Sequence, residues 1–181
     1  MYFRLDLTVG IDGLSPHKSK KLEIWPIACR VINSNETNPF AVSLHAAETK
    51  PESLEAFLRP FLNEMLDLQA NGLQYKGQTY RVNLQFIVCD AVARQFIKQI
   101  IAHNGYFACE RCEQKGIHLL DFNCMIFPEL EKIRLRTDQS FRRRTNRQHH
   151  QPVQCPLLEL DLDMIKGFPL DYMHLVLLGM R

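Results

Sequence analysis

The stretch Arg81-Val82-Asn83-Leu84-Gln85-Phe86-Ile87-Val88-Cys89-Asp90 decides the fold. Val82, Leu84, Phe86 and Val88 fall on alternate positions, the period of a strand. Phe86-Ile87-Val88-Cys89 is apolar without a break, which places this strand at the centre of a sheet with both faces covered. It stops at Asp90. Forward of it, Phe96, Ile97, Ile100 and Ile101 predict a helix over residues 91–103, closed by Asn104-Gly105. Behind it, Leu54, Phe57, Leu58, Phe61, Leu62, Met65 and Leu66 keep the three-four spacing of an amphipathic helix. Ser53 can cap that helix, Pro60 should kink it, and Asn71-Gly72 ends it.

Further back lie three short apolar runs joined by short turns. Phe3, Leu5, Leu7, Val9 and Ile11 alternate up to a turn at Asp12-Gly13. Residues 22–32 form a second candidate strand, in which Pro26 calls for a strand start, a bulge or an edge, and residues 40–46 form a third. The order is strand, strand, strand, helix, strand, helix. An antiparallel meander followed by a crossover helix to a parallel strand is the RNase H-like mixed α/β sheet, and that is the fold expected here. It makes the first and fourth strands neighbours. Regular patterning lapses after Gly105 and resumes near Leu157. The chain therefore divides into a core over 1–105, an irregular insertion over 106–156 and the start of a helical part over 157–181. Both ends look abrupt, so an incomplete domain from a longer gene is expected.

Asp12 and Asp90 would close the two neighbouring strands on one rim. Paired carboxylates suit Mg²⁺ or Mn²⁺, and two such ions about 3.5–4 Å apart support phosphoryl transfer. Each residue also has a plain structural reading, Asp12 as a turn residue and Asp90 as a helix N-cap. Cys109-Glu110-Arg111-Cys112 offers two thiolates to a tetrahedral Zn²⁺. His118, Cys124, His149, His150, Cys155 and His174 could complete it, and His150 or His149 with His174 is the favoured set. A redox dithiol is less favoured, and two unrelated thiols in a turn stay open. His174 reads equally as a core histidine and Asp171 as a cap. His45 reads as a satisfied interior group, His103 as a helix C-terminal partner and Trp25 as core.

The chain has 181 residues, 46% of them hydrophobic, enough for one domain with a real core. Its net charge of +2 excludes nothing by itself. Between Lys132 and Arg147, however, seven basic residues face one acid, Asp138. Arg142, Arg143 and Arg144 in this run are the candidate phosphate contacts, and a solvated loop is the other reading. No signal peptide and no apolar stretch of bilayer length is present. Cys29 and Cys89 sit in apolar runs and read as buried free thiols, which favours a reducing compartment.

Several stretches together resemble transposase-domain proteins of the En/Spm–CACTA type. They are Val9-Gly10-Ile11-Asp12-Gly13-Leu14, Ile24-Trp25-Pro26-Ile27, Lys50-Pro51-Glu52-Ser53-Leu54 and Ile87-Val88-Cys89-Asp90-Ala91-Val92-Ala93. Gly105-Tyr106-Phe107-Ala108-Cys109-Glu110-Arg111-Cys112, Arg136-Thr137-Asp138-Gln139-Ser140-Phe141-Arg142, His149-His150 and residues 168–175 continue the series in order. The resemblance implies an RNase H-like fold and DNA cleavage and strand transfer by three acids, with Asp12 and Asp90 as the first two. It implies Mg²⁺ or Mn²⁺, DNA as partner, a homo-oligomer in the full-length protein, and a nuclear (or else cytoplasmic) location. Val92 departs from an Asp-Ala-Pro-Ala pattern, and the third acid is expected beyond Arg181. As a fragment, the chain is expected to be inactive alone. The alternative is a zinc-stabilised module that binds DNA or protein. A weaker third reading is an RNase H-like nuclease acting on another nucleic acid.

Overall fold

The computed structural model describes residues 3–16, 21–36, 38–129 and 131–170. The chain forms a mixed α/β fold built on a curled five-stranded sheet. Strands β1 (Phe3–Ile11), β2 (Glu23–Val31) and β3 (Phe40–Ala47) run as an antiparallel meander. Helix α1 (Leu54–Asn71) follows, then the hairpin of β4 (Leu73–Tyr75) and β5 (Gln78–Val88), then helix α2 (Ala91–Lys98). The spatial order is β3-β2-β1-β5-β4, and β5 lies parallel to β1 while the other pairs are antiparallel.

The sequence explains most of this. Leu7, Val9 and Ile11 of β1, Trp25, Ile27 and Cys29 of β2, and Val82, Leu84 and Ile87 of β5 are buried. Against them α1 buries Leu54, Phe57, Leu58, Phe61, Leu62 and Met65, the stripe read from its spacing. Ser53 caps α1 by accepting the Ala56 N–H at 3.1 Å, and Gly72 ends it with φ 72°. The helix runs on through Pro60. Pro26 is tolerated because β1–β2 pairing ends at Ile11↔Ile27, one residue before its missing donor would matter.

Three features differ from the sequence reading. The hairpin strand β4 was not expected, so the predicted fourth strand is β5 in chain order, and it begins three residues earlier. Lys76 and Gly77, both at positive φ (49° and 75°), make the tight turn that joins the two strands. Helix α2 stops at Lys98 instead of near His103. Gln99 takes the left-handed conformation, and the chain then pairs with residues 149–151: Ile101 N–H donates to His149 O, and Gln151 N–H to Gln99 O. Ile100 and Ile101 thus obey helical spacing by coincidence, and His103 is an exposed residue away from any helix end.

The insertion is not without structure. It contains a hairpin of β6 (Ile117–Leu119) and β7 (Cys124–Ile126), and helix α3 (Asp138–Arg142) opened by a Thr137/Ser140 capping box. Phe141, Cys155, Leu157, Leu160, Leu162, Met164, Ile165 and Phe168 join the same core as the sheet. No helix of the described residues is long and apolar enough to cross a membrane.

Candidate active site

The parallel pairing of β1 and β5 extends to Gly10↔Val88. Asp12 and Asp90 each lie two residues beyond that pair, at matching ends of neighbouring strands. Strands in a sheet sit about 4.8 Å apart, so the two residues follow a pair of close neighbours where the β1–β5 pairing ends. Asp12 is exposed and Asp90 is half-buried. A carboxylate oxygen of Asp12 accepts the Gly13 N–H at 2.8 Å. Gly13 lies against Trp25, where an added Cβ would come within 2.7 Å of the indole ring. Reciprocal Leu14 and Ile24 backbone hydrogen bonds of 2.9 and 2.8 Å carry the β1–β2 pairing past Asp12 in the register of Ile11↔Ile27. Asp90 caps α2, with Oδ1 accepting the Ala93 N–H at 2.6 Å. The cap role foreseen for Asp90 is therefore present, whereas Asp12 lies in extended chain that continues the β1–β2 register and not in the turn expected for it.

A buried polar frame stands behind Asp90 and was not foreseen. Arg94 and Lys98, one turn apart on α2, converge on Glu110 at 2.7 and 2.8 Å. Lys98 is only 1% exposed, and its ammonium also lies over the rings of Phe141 and Phe168. Burial raises the Glu110 carboxyl, but Lys98 and Arg94 outweigh it and hold the group below the usual carboxylate range. Arg94 also donates to the carbonyls of Cys89 and Pro169, and Arg111 donates to those of Ile165 and Phe168. The Ile87 N–H donates to Gly167 O at 2.8 Å, so this returning segment is tied to β5 beside Asp90. The available signal was a cation pair, Arg94 and Lys98, spaced to share a face with Ile97 and Ile101.

Cys109 and Cys112 come together with their sulfurs 3.3 Å apart, and Gln114 Nε2 donates to Cys112 Sγ at 3.2 Å. Burial pushes the Cys109 thiol up. Burial acts likewise on Cys112, but hydrogen bonds from Gln114 and Cys109, with Arg136 nearby, bring it below its ordinary value. Among the described residues, no three His, Cys, Asp or Glu side chains gather as a metal site. His150 is thus not brought to the cysteine pair, and His174 lies outside the described residues, as does Asp171. His150 packs instead on Phe141 with ring centres 4.7 Å apart, while His149 is fully buried and its Nδ1 meets Phe107 O at 2.7 Å. His45 is not the satisfied group expected, since its buried Nε2 has no hydrogen-bond partner among the described residues.

The basic run is mostly inward work. Arg142 pairs with Asp138 at 2.8 Å and donates to the carbonyls of Leu158, Leu160 and Leu162. Arg144 donates to the carbonyls of Gln151 and Pro152, and buried Arg136 to those of Cys109 and Phe107. Of the three candidate phosphate contacts, only Arg143 is exposed; Lys132, Arg134 and Arg147 are exposed as well. Beside the acid-bearing rim lies a groove of about 800 Å³, bordered by Trp25, Lys50, Val92, Gln95, Phe96 and Gln154. No protein-family model matches the chain, and no curated protein matches it significantly.

Proposed function

We propose that this chain carries the first two acidic residues, Asp12 and Asp90, of a metal-dependent DNA transposase catalytic region with an RNase H-like fold. One observation supports this reading above the others: the two carboxylates sit at matching ends of adjacent parallel strands, two residues past Gly10↔Val88. Carboxylate oxygens are the ligands that Mg²⁺ and Mn²⁺ prefer, so the pair fits such an ion in kind. No third acid joins them among the described residues, so the set is partial. A bound divalent ion would supply activation of the attacking oxygen and charge stabilisation at phosphate. The residues of the chain provide charge and position. Asp90 is held by the start of α2, and Asp12 by the extended segment whose Gly13 is seated on Trp25. The nucleophile would be water or a DNA 3′-hydroxyl. Arg143, Arg147 and Lys132, exposed on the insertion, would meet the backbone phosphates. The resemblance to transposases implies a nuclear site of action, or else a cytoplasmic one, and work as a homo-oligomer.

With two acids, the chain by itself is expected not to cleave DNA. Its affinity for a DNA end is expected to rise severalfold when Mg²⁺ replaces Na⁺ at matched ionic strength, and Asp90→Asn should remove that increment. An increment of equal size in the variant would refute the reading. Robust cleavage that is abolished by Asp12→Ala would correct the expected inactivity while keeping the site. The alternative of a zinc-stabilised module needs ligands beyond Cys109 and Cys112, and none joins them among the described residues.

A further inference from the structure

We propose that Cys109 and Cys112 form a redox-active dithiol, closed to an intramolecular disulfide by hydrogen peroxide and reopened by a small thiol. The geometry carries this. The sulfurs stand 3.3 Å apart, so a bond of about 2.05 Å needs a closure of only about 1.2 Å. No third thiol, imidazole or carboxylate shares them among the described residues, so the pair has the composition of a dithiol and half that of a zinc site. The turn that carries them is braced on both sides: Glu113 N–H donates to Arg134 O, Arg136 N–H to Arg111 O, and Arg136 Nε to Cys109 O. That bracing holds the two sulfurs together in the reduced state. The other four cysteines are separated from them. Cys29, Cys89 and Cys155 are buried, and Cys124 stands exposed with no disulfide partner.

The chemistry balances without a metal. The Cys112 sulfur, which accepts the Gln114 N–H, attacks a peroxide oxygen as its thiolate. An S–O bond forms, the O–O bond breaks, and the departing oxygen leaves as water. The Cys109 sulfur then attacks Cys112 Sγ, the S–S bond forms, the S–O bond breaks, and a second water leaves. Two thiols and one peroxide give one disulfide and two waters, with two electrons passing from sulfur to oxygen. Two equivalents of a small thiol reverse it by exchange and leave as their own disulfide. A peroxide is small enough for a site where Cys109 is half-buried and Cys112 is buried. The turn also carries Glu110 and Arg111, which grip α2 and the segment bound to β5, so closure pulls on the frame behind Asp90.

The test uses the full chain, treated with chelator and titrated with hydrogen peroxide. The expected result is loss of two hydrogens per chain by intact mass, a linked 109–112 peptide on mapping, and recovery with dithiothreitol. Cys109→Ser and Cys112→Ser should each abolish the loss, and Cys124→Ser should leave it unchanged. Should either serine variant fold poorly, equilibration of the wild-type chain with reduced and oxidised dithiothreitol supplies the same readout. Three results would overturn the proposal. One is a link that involves Cys124, another is over-oxidation of both sulfurs without a link, and the third is a chain that carries one zinc and unfolds when chelated.

Discussion

His149 shows at the scale of one residue how burial decides chemistry. Its Nδ1 meets the Phe107 carbonyl at 2.7 Å, so that nitrogen bears the hydrogen and the ring is neutral. Nε2 is buried without a hydrogen-bond partner among the described residues. Burial, and then Arg136, push the imidazole down to about 3, against about 6.5 in an unfolded chain. Between those values the unfolded state binds a proton that the folded state refuses. Stability is therefore complete above the unfolded value and declines as pH falls through the window. Glu110, lowered in the fold, acts with the same sign at the acid end. The urea midpoint is expected to be lower at about pH 4.5 than at pH 7, with His149→Gln reducing the difference. An undiminished difference in the variant would contradict this account. A His-His pair in sequence invites a ligand reading. Its burial depends on Phe107 and Phe141, far from any local pattern, so it was not legible. The strand ends just ahead of Asp12 and Asp90 were legible because each closes an alternating run.

At the scale of elements, the insertion is a set of clamps, and this separates residues that look alike in the sequence. Arg142 binds Asp138 and three carbonyls between Leu158 and Leu162, whereas exposed Arg143 has a solvated side chain. Arg142→Ala is expected to cost about 2–3 kcal/mol in unfolding free energy, and Arg143→Ala less than about 0.5. DNA affinity should show the reverse order, with Arg143→Ala lowering it and weakening its salt dependence. Equal losses of stability would show that Arg142 holds the fold together no more than Arg143 does. The Glu110 clamp has a larger stake. Glu110→Ala would leave Lys98, 1% exposed, without its counter-charge, and thermal unfolding should show a loss of about 3–5 kcal/mol. A loss under about 1 kcal/mol would mean that water reaches Lys98. The strands and α1 were legible because their periods are long and capped, by Ser53 at one end of α1 and Gly72 at the other. β4 has three residues, too few for a period, and the end of α2 is set by pairing with residues 149–151.

At the scale of the molecule, one core runs from the sheet through α1 to the segment ending near Phe168, and its purpose in this account is to hold two strand ends side by side. The chain has one tryptophan, Trp25, and it supports Gly13 next to Asp12. That gives the acid pair its own reporter. Tb³⁺, a hard cation like Mg²⁺ but luminescent, should emit when Trp25 is excited and should be displaced by Mn²⁺. Asp12→Asn and Asp90→Asn should each weaken Tb³⁺ binding at least tenfold while leaving the far-ultraviolet circular dichroism of the fold intact. Sensitised emission with the same affinity in wild type and both variants would contradict the claim that these two carboxylates share a divalent ion.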